Sequence, residues 1–90
     1  MDSTLPFFSI VTISYNQCQY LPQCLDSVAK QSFRSFEHIV VDAGSTDGSR
    51  EILAFRQSSI LPIIEPDNGP ADGLNKGFAK ATGHYFFFLN

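Results

Sequence analysis

Four short apolar runs alternate with three segments of helical periodicity along this chain of 90 residues. Each run is rich in the β-branched or aromatic side chains that are typical of strands. The runs cover residues 7–14, 36–42, 60–65 and 84–90. Between the first two, Leu21, Cys24, Leu25 and Val28 recur at helical spacing, which predicts an amphipathic helix. The order β-α-β-α-β-α-β predicts one α/β domain, a mostly parallel sheet with helices on both faces.

Turn and capping residues mark the ends of the predicted helices. Ser45, Thr46 and Asp47 are candidate N-caps of the second helix, because their side-chain oxygens accept from free backbone amides. Pro70 suits the first turn of the third helix, where its missing N–H costs nothing. Gly83 is predicted to cap the C-terminus of that helix.

The composition argues against two kinds of partner. The net charge is −3 and the six basic residues are scattered, so no basic patch for a nucleic acid is expected. No apolar stretch approaches the roughly 20 residues that span a bilayer. The N-terminus also lacks the features of a signal peptide. We therefore expect a cytoplasmic protein, with association at the inner face of the membrane left open.

The cysteines and histidines do not form a recognisable metal or disulfide pattern. Cys18 and Cys24 are too few for a disulfide scaffold and are predicted to be reduced thiols, with Cys24 in the core. His38 lies inside a predicted strand and His84 at the start of another, without the spacing of a zinc site. Both histidines are predicted to be structural or solvent-facing.

Polar residues follow the predicted strands at their carboxyl ends, where ligands bind in open α/β sheets. Ser14, Tyr15 and Asn16 follow the first strand, and Asp42 ends the second. Further polar residues come after the third strand and at the end of the fourth: Glu65, Asp67, Asp72 and Asn90. Asp is also a common turn and cap residue, so a structural role for Asp42 stays open. For Asp47 that role is favoured.

Several site classes lack their motifs. The chain contains no G-x-G-x-x-G, no G-x-x-x-x-G-K-[ST] and no G-x-S-x-G, which argues against a dinucleotide fold, a P-loop and a nucleophile elbow. A signalling receiver domain with Asp42 as phosphoacceptor is a weaker alternative. It would need paired acids after the first strand, and none are present there.

Five ordered motifs resemble those of family 2 glycosyltransferases. The most specific is VVDAGSTDGS at residues 40–49, which is similar to the family's V-D-x-G-S-T-D-G-S loop. The others are the opening strand and S-Y-N loop, the first helix with its S-V-x-x-Q ending, the E-P-D-x-G-x-x-D-x-x-N-K-G segment and the A-T-G before the last strand. They lie at residues 8–16, 20–33, 65–77 and 81–83.

The resemblance implies a partial GT-A (Rossmann-like) fold over residues 1–90 that binds a nucleotide-diphosphate sugar, usually a UDP-sugar. Ser14, Tyr15 and Asn16 would line the base and ribose, and Asp42 would accept hydrogen bonds from the base. Lys76 would offset diphosphate charge, although a solvated helix lysine is an equal alternative. These residues and Asp72 form the predicted nucleotide-binding set.

Three departures from the family pattern limit what is carried over. Ala43 stands where many members have a second acid, and Asp72 is a candidate replacement. Leu74 stands where other branches have an arginine. The acidic motif that holds Mg²⁺ or Mn²⁺ is expected just after Asn90. The carboxylate expected to act as general base, with the acceptor site, is expected beyond the chain as well.

The sequence therefore predicts the donor-binding half of an inverting glycosyltransferase of polysaccharide biosynthesis, with a glycan acceptor. The 90-residue chain itself is predicted to be inactive, with no catalytic residue and no metal ligand of its own. The alternative is a stand-alone, non-catalytic nucleotide-binding or partner-binding module. An exposed last strand would favour homo-oligomers. Sugar, acceptor and linkage are not readable from these residues.

Overall fold

The computed structural model describes residues 8–30 and 35–88 of the chain. They form four strands and three helices in the predicted order. The elements are β1 (Phe8–Ser14), α1 (Leu21–Ala29), β2 (Phe36–Asp42), α2 (Ser49–Phe55), β3 (Leu61–Ile64), α3 (Pro70–Lys80) and β4 (Tyr85–Phe88). Position 7 of the predicted first strand and positions 89–90 of the fourth lie outside the described residues, as do positions 31–33 of the first-helix motif.

The strands form one parallel sheet in the order β3-β2-β1-β4. β1 and β2 pair along their full length, from Phe8 opposite Phe36 to Ser14 opposite Asp42. The carboxyl ends of the two central strands therefore lie side by side. This confirms the predicted α/β fold, and it places the polar residues that follow β1 and β2 at the same edge of the sheet.

Two small cores form on opposite faces of the sheet. On one face, Leu21 and Leu25 of α1 pack with Val40 and with Leu53 of α2. On the other face Val11, Ile39 and Val41 form the second core, against which Leu74 and Phe78 of α3 pack. Successive strand residues point to opposite faces, so each central strand contributes to both cores. The sheet is thus covered on both faces over β1 and β2.

Gly77 lets α3 approach the sheet closely. A Cβ atom at this position would clash with Val11 and would lie 3.2 Å from Cγ2 of Val41. Gly77 is buried in the structure. Glycine therefore serves here to bring the helix backbone against the central strands.

The edge strands are less covered than the sequence predicted. The apolar runs suggested strands buried on both faces, and this is correct for most of β1 and β2. β4 is different, because its four aromatic side chains are between 45% and 55% exposed. It is an edge strand without a further strand beside it among the described residues. Self-association through this strand stays a prediction.

A network at the amino ends of the central strands fixes the segment before β4. Oε2 of Glu37 accepts hydrogen bonds from the Ser9 hydroxyl at 2.6 Å and from the Thr82 amide at 2.7 Å. The Gly83 amide donates to Oγ of Ser9 at 2.8 Å. The A-T-G motif therefore has a structural role in this fold, holding the start of β4 against β1.

The predicted role of Gly83 as a helix cap is wrong. α3 ends at Lys80, and its C-cap residue is Ala81 in an extended conformation. A Cβ atom on Gly83 would lie 2.7 Å from Oγ of Ser9 and 2.8 Å from the backbone carbon of Phe8. Glycine is needed here because the backbone passes close to β1, which sequence spacing does not reveal.

Two other local predictions need correction. The N-cap position of α2 is Gly48, with φ of 102°, instead of one of the three polar candidates before it. Asp47 nevertheless accepts hydrogen bonds from the amide of Ser49 at 3.1 Å and from its hydroxyl at 2.7 Å, so it still stabilises the first turn. Cys24 is partly exposed and does not lie in the core.

The described helices are short. Even α3, with 11 residues, falls far below the length of a bilayer span, and no described helix is long and apolar enough to cross a membrane.

Candidate nucleotide-binding cleft

A cavity of about 540 Å³ opens at the carboxyl edge of the sheet. It lies where the chain leaves β1 and β2, and the loop before α3 closes its other side. This volume falls within the range of about 300–1,000 Å³ that is usual for small-molecule sites. The residues that line it are Ile13, Ser14, Tyr15, Gln17, Ala43, Asp67, Gly69 and Pro70.

Two loops are tied together beside this cavity. The loop after β1 and the loop after β2 exchange hydrogen bonds in both directions. The Asn16 amide donates to Oγ of Ser45 at 2.7 Å, and the Thr46 amide donates to Oδ1 of Asn16 at 2.9 Å. The Cys18 amide donates to Oδ2 of Asp47 at 2.9 Å. These bonds fix the wall of the cavity that carries Tyr15.

Asn16 is a turn residue in this structure. Its φ of 51° lies in the left-handed region, which Asn adopts more readily than most residues. Its side chain accepts from the Thr46 amide and does not line the cavity. Asn16 belongs to the predicted nucleotide-binding set. In the structure its backbone amide and its side chain join the two loops.

Asp42 is fully buried and its carboxylate is occupied by its own loop. Oδ2 accepts hydrogen bonds from the amides of Gly44 at 3.1 Å and Ser45 at 2.7 Å, and Oδ1 accepts from the Ser45 hydroxyl at 2.6 Å. This acid therefore shapes the loop, and Ala43, the next residue, lines the cavity. The contact of Asp42 with a base stays a prediction.

The same loop lowers the pKa of Asp47. Its value falls from 3.8 to about 2, first because of the hydrogen bond from the Cys18 amide and then because of the Ser49 hydroxyl. Both donors favour the charged carboxylate. The favoured structural interpretation of Asp47 agrees with these contacts.

Asp67 is the acid that lines the cavity. Its Oδ1 accepts from the Gly69 amide at 2.9 Å, and no hydrogen bond within the described residues occupies its Oδ2. A Cβ atom on Gly73 would lie 3.0 Å from that oxygen, so the glycine leaves room for the carboxylate. Asp67 is one of the strand-end polar residues, but the predicted nucleotide-binding set does not include it. Its position in the E-P-D segment is the sequence feature that indicates its role.

Asp72 and Lys76 stabilise the loop before α3 and do not line the cavity. Oδ2 of Asp72 accepts from the Asn68 amide at 3.0 Å. Nζ of Lys76 donates to the Pro66 carbonyl at 2.7 Å and lies 3.0 Å from Oε1 of Glu65. The hydrogen bond with Glu65 is the main cause of the raised pKa of Lys76. The ligand contacts predicted for Asp72 and Lys76 stay predictions.

Ser14, Tyr15 and Gln17 form the β1 side of the cavity. The Tyr15 ring is 58% exposed, which suits an aromatic surface for a planar ligand. The Ser14 hydroxyl is buried and is the sole buried side-chain nitrogen or oxygen of the described residues without a hydrogen-bond partner. The sequence does not predict that Gln17 lines the cavity, since a single amide side chain after a strand is not distinctive of a site.

The described residues do not offer a metal site. No three His, Cys, Asp or Glu side chains within positions 8–30 and 35–88 converge to hold an ion. The acids around the cleft are instead occupied by backbone amides, as Asp42 and Asp72 are. The described residues therefore do not fit the divalent cation implied by the resemblance.

The parallel sheet with helices on both faces and a cleft at its carboxyl edge define an α/β domain of the GT-A type. The sequence matches the model of glycosyl transferase family 2 over residues 9–90, so the chain belongs to this family.

Relatives with known names or structures agree with this assignment. The PGL/p-HBAD biosynthesis glycosyltransferase of Mycobacterium bovis is 36% identical over 88 residues, which are 93% of this chain and 34% of that protein. The crystal structure of Staphylococcus aureus TarS 1-349 in complex with UDP-GlcNAc is 30% identical, with a TM-score of 0.80, over 91% of this chain and 25% of that one.

A third similar protein binds a different nucleotide. The mannosyltransferase PcManGT from Pyrobaculum calidifontis, in complex with GDP-Man and Mn²⁺, is 28% identical with a TM-score of 0.72. That match covers 90% of this chain and 26% of the mannosyltransferase. The chain spans about a quarter to a third of the length of the curated relatives it matches.

Proposed function

We propose that the cleft between Tyr15 and Asp67 binds the nucleotide of a nucleotide-diphosphate sugar. The proposed donor is a UDP-sugar. The observation that supports this most is the cavity of about 540 Å³ at the carboxyl ends of β1 and β2. It combines an exposed aromatic ring with one acid, within a family whose similar member TarS was crystallised with UDP-GlcNAc. The proposed activity of the whole protein is transfer of that sugar to a glycan acceptor with inversion.

Each wall of the cleft has a proposed contact. The Tyr15 ring offers a face on which a base can stack, and base stacking on an aromatic ring contributes about 1–3 kcal/mol. Oδ2 of Asp67 offers an acceptor for a ring N–H of the base, while Oδ1 already accepts from the Gly69 amide.

The residues that hold the loops around the cleft would then affect nucleotide binding indirectly, by positioning the residues that line it. Asp42 and Asn16 fix the two loops that carry Ala43 and Tyr15, through the hydrogen bonds to Ser45 and Thr46. Asp72 and Lys76 fix the segment that carries Asp67. A direct contact of these four residues with a nucleotide remains a prediction from the resemblance.

The chemistry proposed for the whole protein needs groups outside the described residues. Inversion requires a general base that deprotonates the acceptor hydroxyl as it attacks the anomeric carbon opposite the leaving diphosphate. The acids near the cleft have other roles, since Asp42 and Asp72 hold their own loops and Asp67 is the proposed contact of the base. We therefore propose that the 90-residue chain binds the donor but does not transfer its sugar. Time-dependent release of UDP from a UDP-sugar by this chain, with acceptors supplied, would contradict that.

The experiment that tests the proposed site is a calorimetric titration of the folded chain with UDP, GDP and ADP, with and without Mn²⁺. We expect UDP to bind most tightly and Mn²⁺ to add little, because the described residues offer no metal site. Absence of binding by all three nucleotides to a folded chain would overturn the proposed function.

Two variants of the cleft test whether UDP binds there. Tyr15→Ala and Asp67→Ala should each weaken UDP binding by about tenfold or more, consistent with a loss of about 1–3 kcal/mol for a stacking or charged contact. Phe55→Ala is the matched aromatic control, since Phe55 is 90% exposed on α2 and lies outside the cleft. Equal losses in the control and the cleft variants would point to an effect on folding.

The remaining parts of the proposal concern the cell. We propose a cytoplasmic enzyme of surface-glycan or polysaccharide synthesis that works at the inner face of the membrane. The name of the mycobacterial relative, a biosynthesis glycosyltransferase, supports the biosynthetic part of this proposal. Fractionation of cells that produce the complete protein, with and without high salt, would test the membrane association.

A further inference from the structure

The charge of the cleft determines which part of a nucleotide-diphosphate sugar it can hold. Of the described residues that line it, Asp67 is the charged one, and the others are apolar or neutral. The cavity of about 540 Å³ has the size of a whole small-molecule site, so its volume does not exclude a diphosphate. Phosphate groups carry negative charge at neutral pH, whereas a nucleoside is uncharged. The lining of the cleft therefore favours the nucleoside part of the donor.

The amino end of α3 lines the cleft and would ordinarily attract a phosphate, because free backbone amides and the helix dipole favour anions. Pro70, the first residue of the helix, has no N–H to donate. The Gly69 amide already donates to Oδ1 of Asp67 at 2.9 Å. The Asn68 amide donates to Oδ2 of Asp72 at 3.0 Å. This end of the helix thus already holds two carboxylates of the chain itself, and their charges oppose a phosphate.

Lys76 is the cation that the family resemblance assigns to the diphosphate, and its charge is already paired. Its Nζ lies 3.0 Å from Oε1 of Glu65 and 3.6 Å from Oδ2 of Asp72. The same atom donates a hydrogen bond to the Pro66 carbonyl at 2.7 Å. The segment from Glu65 to Lys76 contains three acids, with Asp67 the third, against this one lysine. The α3 side of the cleft therefore carries a net negative charge.

The other described cations do not line the cleft either. Lys30 and Arg56 are the C-caps of α1 and α2, and Lys80 is the last residue of α3. Because each helix returns the chain from the carboxyl edge to the amino edge of the parallel sheet, these three residues lie away from the cleft. Arg50 follows the first residue of α2 and is not part of the lining. Positive charge to hold a diphosphate is thus absent from the described lining.

We propose that the cleft is a nucleoside site, which binds the base and the ribose and gains no affinity from the diphosphate. The base stacks on Tyr15 and donates a ring N–H to Asp67, and the amide side chain of Gln17 bonds the ribose hydroxyls. The diphosphate projects out of the cleft, away from Asp67 and Asp72. In the absence of a divalent cation, uridine therefore binds at least as tightly as UDP. This inference rests on the proposed function, since it concerns the same cleft.

The test is a titration of the folded chain with uridine, UMP and UDP in the presence of EDTA, followed by NMR spectroscopy of the backbone amides. We expect a Kd for uridine equal to or lower than that for UDP, with the amides of the same cleft residues shifting for all three ligands. Raising the salt concentration from about 0.01 M to about 0.15 M shortens the screening length from about 30 Å to about 8 Å. This change should tighten UDP binding by about two- to threefold, because salt screens the repulsion, and should leave uridine binding the same.

Asp72→Asn tests the repulsion directly. Asparagine keeps an oxygen that can accept from the Asn68 amide, so the loop should stay in place while one negative charge is removed. We expect the Kd of UDP to fall by about two- to threefold at low salt and the Kd of uridine to stay the same. Asp26→Asn is the control, because it removes an acid from α1 on the other face of the sheet, and it should change neither Kd.

A Kd for UDP that is tenfold or more below that for uridine would overturn this inference and leave the proposed function standing. UDP binding that weakens as salt rises would overturn it too, since that result describes attraction by positive charge. The same holds for a Kd of UDP that Asp72→Asn does not lower relative to uridine. Absence of binding by all three ligands to the folded chain would overturn the proposed function and this inference together.

Discussion

Asp42 and Ser45 hold each other through two hydrogen bonds, one to each oxygen of the buried carboxylate. The Ser45 amide donates to Oδ2 at 2.7 Å and its hydroxyl donates to Oδ1 at 2.6 Å. Oγ of Ser45 also accepts from the Asn16 amide at 2.7 Å, so the loop after β1 is tied to the same acid. The central motif residue of this family likeness is therefore a structural anchor in this chain.

Asp42→Asn tests that anchor. The amide keeps the size of the side chain, but its NH₂ group cannot accept from the amides and hydroxyl that face it. We expect the free energy of unfolding to fall by about 1–3 kcal/mol, as measured in urea. Asp26→Asn is the control, because this exposed acid only pairs with Arg56 at the surface, and such pairs contribute about 0–1 kcal/mol. Unchanged stability together with lost UDP binding would instead support the direct base contact.

Gly77→Ala tests the close contact between α3 and the sheet. In an open helix position, alanine would stabilise by about 1 kcal/mol relative to glycine. Here the added methyl group would clash with Val11, so we expect a net loss of about 1–3 kcal/mol in the free energy of unfolding. Asn75→Ala, at an exposed position of α3, should be neutral or slightly stabilising. A Gly77→Ala chain as stable as Asn75→Ala would show that the helix moves away easily.

Glu37→Ala tests the network before β4. Its removal leaves the Ser9 hydroxyl and the Thr82 amide without their shared acceptor. We expect a loss of about 1–3 kcal/mol and faster amide hydrogen exchange in β4 than in β2. Glu51→Ala, an exposed position in the first turn of α2, serves as the control. Uniformly faster exchange across all strands would indicate global destabilisation without a local role.

His38 predicts a pH dependence of stability. Burial lowers its pKa from 6.5 to about 4, so the folded state binds fewer protons than the unfolded state between these values. The stability is fully present above pH 6.5 and is lost as the pH falls through about 4. The shift corresponds to at most about 3 kcal/mol, at 1.36 kcal/mol for each pKa unit. Urea unfolding from pH 7 to pH 4 would measure this loss.

His38→Gln is the control for the change in stability between pH 7 and pH 4. It cannot gain a proton, so its stability should change much less between pH 7 and pH 4. The pKa of Asp47, lowered to about 2, acts in a separate window, since its contribution is present above 3.8 and is lost as the pH falls toward 2. Equal pH slopes for the wild type and His38→Gln would contradict the role of His38.

The ends of the strands could be predicted from the sequence because they depend on local patterns of apolar and polar residues. The apolar run at 36–42 matches β2 residue for residue, and the spacing of Leu21, Leu25 and Val28 predicted the buried face of α1. Parallel strands then bring Ser14 beside Asp42 at one edge of the sheet. The position of the cleft and the family likeness followed from these local patterns.

The tertiary structure decided what each polar residue does there. Asp42 lies at the strand end, as the sequence indicated, but donors from its own loop occupy its carboxylate. One of these donor residues, Ser45, also accepts from the amide of Asn16, which is distant in sequence. Asp67 reaches the cleft because Gly73 leaves space beneath its carboxylate. Gly83 meets Ser9, 74 residues away in the chain. Sequence thus determined which elements form and where their ends meet, because these depend on local composition. Contacts between distant residues decided which oxygen atoms remain available to a ligand.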